Sequence, residues 1–437
     1  MGRGYLMGKR SLCLPVLLAG LALMLGSVTA HAQATPTATP TPASCTISKI
    51  GNTPVTCETG AENPPSFVGV SIGNLNSITI DKTTGATTCC AGTMGALVQD
   101  SSATQYILST NHVLARNSGS KAAKIKEAIV QPGLQDLGCW QDPADTAAQL
   151  SKWTPINFKS GENQLDAAIA KVVDETYGPA GPSVPGVDPS GALLNIGLIS
   201  TTPFPFDSLL IGMPVVKMGR SSCLTAGAID AYDAFGVVTY PATCNAASSG
   251  VAFFDHQIIV LGEAAGSVCS FATTGDSGSI VLTDDMTCPQ AIGMVFAGSS
   301  GSGADSGGEI VAVNPIQSIL TKFNVTLVGQ TCTGSPTDPP FTDTGATSPS
   351  GADLAGMSDA FRASFEQVRS VKEAHRMRLI KMRGVAAIAI GAGATPDSAA
   401  LTVYLTEDTP EIRNRVLAEV RGQTVRFRRI RGRFKAL

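Results

Sequence analysis

From Val68 to about Val173 the apolar residues fall in short alternating runs broken by turn residues, a period-two pattern that predicts antiparallel strands. Ala96–Gln99 and Gln105–Leu108 flank the polar Asp100-Ser101-Ser102-Ala103 and predict a hairpin. Its second strand runs directly into Asn111 and His112. Lys121–Val130 reads as a short basic helix or loop. Leu165–Val172 is a small apolar strand with one acid, Asp166, at its entrance. After the Gly- and Pro-rich stretch Tyr177–Pro189, further strands are predicted at Met213–Met218, Gly236–Tyr240, Val251–Val260, Ser279–Thr283, Ala291–Phe296 and Glu309–Val313. Pro315–Phe323 reads as a closing helix.

Beyond the Pro/Thr/Ser/Gly stretch Gly334–Gly351 the period changes. Phe361, Phe365, Val368, Val371, Leu379 and Met382 lie at helical spacing, followed by the short apolar strands Val385–Ile390 and Ala400–Leu405. Thr409 is a natural N-cap with Pro410 at the first helical position, and Ile412, Val416, Leu417 and Val420 then form one face. Thr424–Ile430 alternates as a last strand. At the other end, Arg3, Lys9 and Arg10 precede the apolar run Leu12–Val28 and the small-x-small site Ala30-His31-Ala32, the pattern of a secretory signal, with an uncleaved anchor as the rival reading. The expected organisation is a mainly β chain: a signal over 1–32, a Thr/Pro linker over 33–44, β halves over 45–185 and 186–330, a linker over 331–352, and a basic α+β domain over 353–437. A ferredoxin-like arrangement is the candidate for that last domain.

Charge adds little to this picture. The formal net charge is −3, but about half of the Lys and Arg lie beyond Phe361, many in Arg421–Lys435. Such a run is read as a solvated face, so no nucleic-acid partner is expected, and after signal removal no later stretch is long and apolar enough to span a bilayer. Cysteine usage changes the picture more. With Cys13 in the signal, ten cysteines remain, an even set that in an exported chain predicts disulfides. Short loops suggest Cys45–Cys57, Cys223–Cys244 and Cys269–Cys288, while the adjacent Cys89 and Cys90 must each pair elsewhere. No cysteine or histidine spacing suggests zinc, Gly301–Glu309 lacks calcium-loop spacing, and neither metal nor cofactor is expected.

The candidate chemistry sits in Thr274-Gly275-Asp276-Ser277-Gly278-Ser279, a flexible turn that displays one hydroxyl. A serine hydroxyl is a poor nucleophile until a neutral imidazole takes its proton, and a carboxylate then orients that imidazole. Of the four histidines, His31 lies at the cleavage site, His256 in an apolar run and His375 on a late helix, which leaves His112 as the base. Asp166 is the candidate acid, with Asp145 and Asp174 as nearby alternatives. The N–H groups of Gly275 and Ser277 are the candidate oxyanion donors.

Thr110-Asn111-His112-Val113, Asp166-Ala167-Ala168-Ile169 and Gly275-Asp276-Ser277-Gly278-Ser279 together resemble the histidine, aspartate and serine motifs of the trypsin-like, chymotrypsin-fold serine peptidases. The resemblance covers roughly Phe67–Phe323. It implies two antiparallel β-barrels, a site at their junction carrying His112, Asp166 and Ser277, and a polypeptide substrate. More narrowly, Gln131-Pro132-Gly133, the run Asn163–Val172 and Gly219–Gly227 resemble plant narrow-leaf proteins and their bacterial relatives. Two departures matter. No Arg/Lys-Ile-Val-Gly-Gly activation site follows the signal, so Asp276 needs another partner than a new N-terminus or simply helps hold the turn. The position six before the nucleophile, where the family often floors its specificity pocket, is Phe271 and not an acid. With Phe296-Ala297-Gly298 as pocket wall, the expected preference is a small or apolar side chain. The expected function is an exported serine endopeptidase. The alternative is a catalytically silent binding or scaffold protein of the same fold, acting on a protein partner through its C-terminal domain.

Overall fold

A computed structural model describes residues 45–50, 53–60, 66–117, 123–159, 161–173, 186–206, 211–264, 267–285, 287–299, 309–332 and 358–437. The signal, the first linker, residues 333–352 of the second, Asp174 and the loop 301–308 lie outside the described residues.

The alternating runs of the first half become strands β1 (Ser71–Asn74), β2 (Gly92–Thr93), β3 (Ala96–Gln99), β4 (Gln105–Ser109), β5 (Ala128–Val130), β6 (Thr146–Trp153) and β7 (Ala168–Val172), with the one-turn helix α1 (Asn111–Leu114) after β4. β1 pairs with β2, the chain continues from β2 into β3, and β3 pairs with β4, β4 with β7, β7 with β6, β6 with β5, and β5 with β1. The continuous β2–β3 segment closes this ring, and Thr326–Leu327 pairs along β3 as well. Lys121–Val130, read from sequence as a helix or loop, ends in strand β5, because Ile129 and Val130 are fully buried between β1 and β6.

The second half supplies β8 (Pro214–Gly219), β9 (Cys223–Tyr240), β10 (Gly250–Ala264), β11 (Ile280–Thr283), β12 (Ala291–Ser299) and β13 (Ile310–Pro315), followed by α2 (Ile316–Phe323). β8–β9, β9–β10, β10–β13, β13–β12, β12–β11 and β11–β8 are all antiparallel pairs, and this ring closes too. β9 is longer than the expected Gly236–Tyr240 because it starts directly at Cys223. Register shifts between Ile229 and Gly236 bend it, as extra residues in one strand of a pair do. Its far half leaves the barrel and becomes a platform for the end of the chain.

That end contributes α3 (Asp359–Leu379), β14 (Val385–Ala392), β15 (Ala399–Leu405), α4 (Pro410–Glu419), β16 (Val425–Arg429) and β17 (Phe434–Ala436). The predicted cap forms, Thr409 accepting from the Ile412 N–H with Pro410 at the first position, and Ser358, not foreseen, caps α3 by accepting from the Phe361 N–H. β14 pairs antiparallel with β9, β15 with β14, and β16 runs parallel to β15. Phe361, Phe365 and Val368 of α3, Ile388 of β14, Leu401 of β15 and Val416 of α4 share one core cluster with Ile229, Tyr232 and Val260 of the second barrel. The α+β portion thus buries its apolar face directly on that barrel. The architecture is mainly β: two antiparallel barrels followed by a small α+β portion.

Among the described residues five disulfides are formed, and they correct the short-loop pairings. Cys45 joins Cys269, Cys57 joins Cys223, Cys89 joins Cys139, Cys90 joins Cys244 and Cys288 joins Cys332. Barrel closure decides this, since it brings residues as far apart as 224 positions to a Cα separation of 5.2 Å. Cys89 and Cys90 do pair elsewhere. Among the described residues no helix is long and apolar enough to cross a membrane.

Candidate active site at the junction of the barrels

His112 sits on α1, where β4 leaves the first barrel, and Asp166 two residues before β7. β4 and β7 are paired, with Ser109 opposite Ala168, so the two motifs are neighbours across a ladder. Nδ1 of His112 lies 2.6 Å from Oδ2 of Asp166, and the His112 backbone N–H donates to Oδ1 at 3.2 Å. Asp166 is fully buried, so its carboxylate requires donors. A third comes from the second barrel: the Tyr240 hydroxyl donates to Oδ2 at 2.7 Å. Burial, with the facing Asp166 charge, pushes that phenol well above its ordinary range. The Asp166 backbone is clamped as well. Its N–H donates to Oδ1 of Asn314 and its carbonyl accepts from Nδ2 of the same side chain, at 3.1 and 3.0 Å. Asp145 instead ends a short turn over Pro143–Asp145.

Ser277 lies on the turn before β11 and is fully buried. The first barrel grips this turn. The Thr93 N–H donates to the Ser277 carbonyl at 2.8 Å and its hydroxyl to the Gly275 carbonyl at 3.0 Å. Gly275 has φ of +102°, and a Cβ there would stand 2.2 Å from Oγ of Ser221. Only glycine fits both constraints.

Asp276 is fully buried beside Ser277. The N–H groups of Ser221 and Ser222 donate to Oδ1, while the Thr273 N–H and the Ser222 hydroxyl donate to Oδ2. The Lys217 ammonium, also fully buried, lies 3.5 Å from Oδ2 and donates to the Ser222 hydroxyl at 2.6 Å. Burial pushes this ammonium below its ordinary range, against the pull of Asp276. Lys217 is therefore the internal cation that the sequence left to be found. Phe271 is fully buried, with Nζ of Lys217 5.5 Å from its ring centroid. Phe296, Ala297 and Gly298 lie on β12, and they face β17 rather than open space. The Leu437 N–H donates to the Phe296 carbonyl at 3.3 Å, and Ala297 and Gly298 stand opposite Ala436 and Lys435.

Ser277 and His112 meet at one atom. The Ser277 hydroxyl donates to the main-chain oxygen of Leu437 at 2.7 Å, and Nε2 of His112 lies 3.2 Å from that oxygen. The structure thus brings together Asp166, His112, Ser277 and the Phe296–Gly298 segment, at the seam of two closed antiparallel barrels. The fold is chymotrypsin-like.

Residues 171–306 match the family model described as the Nal1 C-terminal domain. Solved structures similar to the chain include Nocardiopsis protease, at 15% identity over 60% of this chain and 97% of that one with a TM-score of 0.32. They also include Thermobifida fusca protease A, at 13% identity over 60% and 98% with a TM-score of 0.32. Cellulomonas bogoriensis chymotrypsin matches at 15% identity over 60% and 98% with a TM-score of 0.31. No curated protein matches the chain significantly.

Proposed function

We propose that the chain is an exported serine endopeptidase that works through an acyl-enzyme. The observation that carries this reading is the chain of contacts from the buried Asp166 carboxylate through His112 to a main-chain oxygen that also takes the Ser277 hydroxyl. Ser277 Oγ attacks the carbonyl carbon of a peptide while its proton passes to Nε2 of His112, and Asp166 steadies the resulting imidazolium through Nδ1. The N–H groups of Gly275 and Ser277 receive the charge that develops on the carbonyl oxygen. As the C–N bond breaks, His112 returns the proton to the leaving amine. Water activated by the same imidazole then hydrolyses the ester and frees Ser277. The base must be neutral to take that proton.

Five disulfides support an oxidising compartment and hence the export reading. The match over 171–306 supports a place among the bacterial relatives of plant narrow-leaf proteins. A fluorophosphonate reagent carried to completion tests the catalytic assignment: wild type should be labelled stoichiometrically on Ser277 and Ser277→Ala not at all. Equal labelling of the two, or none of either, contradicts it. No labelling of either would leave the catalytically silent binding protein as the reading, which the filled site around Ser277 also fits.

A further inference from the structure

The groups proposed to act on a substrate already hold a main-chain oxygen of this chain. Leu437 reaches Ser277 and His112 at the end of a paired strand. β17 lies between two strands of the second barrel, parallel to β9 and antiparallel to β12. Val238 stands opposite Phe434 on one side. On the other, Ala297, Gly298 and Ser299 stand opposite Ala436, Lys435 and Phe434. The Leu437 N–H bond to Phe296 extends this pairing to the residue whose main-chain oxygen meets Ser277. The side chains alternate as in a half-buried strand. Phe434 is 2% exposed and packs in a cluster with Phe254 and Phe296, whereas Lys435 faces solvent. Leu437 is 7% exposed and belongs to the cluster containing Phe271, Ala272 and Val295.

We propose that Phe434–Leu437 occupies the polypeptide channel of the Ser277 site in cis, and that the site takes extended chains with leucine at the residue whose carbonyl is attacked. The second half rests on the peptidase reading above. Strand addition to β12 supplies affinity through the main chain, and the slot filled by Leu437 supplies selectivity. That slot depends on Gly298, because a Cβ there would meet the two leucine methyl groups at 3.0 and 3.1 Å. No acid floors it, since Phe271 stands at the position the resemblance assigns to that role. A cavity of about 170 Å³ adjoins both His112 and Leu437, bounded by Val113, Gln135, Thr274 and the Cys90–Cys244 bridge. It offers space for the residues that follow a scissile bond. A tethered strand has an effective concentration in the millimolar range, so an outside peptide reaches Ser277 only in the fraction of molecules whose own strand has left.

Full-length protein and its Leu437→Asp variant test the proposal, because a carboxylate in this apolar slot favours release of the strand. Fluorophosphonate should label the variant at Ser277 on the order of tenfold faster than wild type. Amide exchange of residues 434–437 should be slow in wild type and fast in the variant. The variant should cut a peptide containing Phe-Lys-Ala-Leu after the leucine faster than the same peptide with arginine or glutamate in that place. Fast exchange in wild type, or equal labelling rates, overturns the occupancy; preference for arginine or glutamate overturns the specificity. Slow exchange in wild type with no labelling of either protein supports the occupancy while removing the peptidase reading on which the specificity rests.

Discussion

Tyr240 shows what single residues add to a motif. Its hydroxyl donates to Asp166 across 74 positions of sequence, from the end of β9. An aromatic residue closing a strand is ordinary in sequence, and only the meeting of the two barrels turns it toward the carboxylate. Asn314 and Lys217 were hidden for the same reason: each is one polar residue on an apolar strand whose partner comes from far along the chain. His112, Asp166 and Ser277 were legible because each sits in a local motif of fixed chemistry. If Tyr240 helps orient His112 through Asp166, Tyr240→Phe removes one of three donors to a buried carboxylate, which costs about 1–3 kcal/mol. We expect kcat/KM to fall on the order of tenfold with KM little changed. Steady-state kinetics on a peptide substrate checks this, and a rise confined to KM would contradict it.

Among elements, the strands were read well where one face is buried and the period is two. The hairpin of β3 and β4 and the helices α3 and α4 formed near their expected positions, since local capping and turn chemistry agree with the tertiary packing. The bent strands β9 and β10 were the hardest to read, because their irregularities answer to partners on both sides. His256, set aside in the sequence as part of an apolar run, marks one such irregularity. It has φ of +58° and turns its ring toward Asp233, with Nδ1 2.5 Å from Oδ1. Lys372, Arg369 and Arg376 of α3 complete an ion cluster with Asp233 and Asp255 that pins α3 to the barrel.

Burial pushes the Asp233 carboxyl up, but the His256 hydrogen bond and the Lys372 ammonium outweigh it and hold the group at about 2 rather than 3.8. Its contribution to stability is present above 3.8 and is lost as pH falls through 2. The hydrogen bond to Asp233 raises His256 above its ordinary 6.5, helped by Asp255 and opposed by burial and Lys372. That contribution is present below 6.5 and is lost as pH rises through the folded value. With His256 half exposed, the pair contributes about 1 kcal/mol or less. The melting-temperature gap between wild type and His256→Ala should therefore be larger at about pH 5 than at about pH 9. Equal gaps at the two pH values would remove the ion pair from the account.

At the scale of the whole molecule, the two-barrel plan was implied by the family resemblance that the three motifs carry, while the disulfide pattern and the return of the chain were not. Both depend on closure in three dimensions. Cys45 meets Cys269 because the second barrel closes, and β17 reaches Ser277 because β9 extends beyond that barrel and carries β14 on its edge. The basic run Arg421–Lys435, read as a solvated face, has inward-facing members: Arg428 pairs with the buried Asp230 at 2.6 Å, and Arg431 with Glu309 at 3.1 Å. Charge runs in sequence do not show which members meet buried acids, since that depends on the neighbouring sheet. What the molecule builds is one site in which three motifs, two barrels and the last strand converge on Ser277.

The central claim, a covalent acyl-enzyme on Ser277, is most directly measured by mixing the protein with a p-nitrophenyl ester and following the first turnover. A burst of nitrophenol equal to the concentration of open sites is expected, with the matching acyl mass on the peptide containing Ser277 after an acid quench. A linear release with no burst, or an acyl group on any other residue, would contradict it.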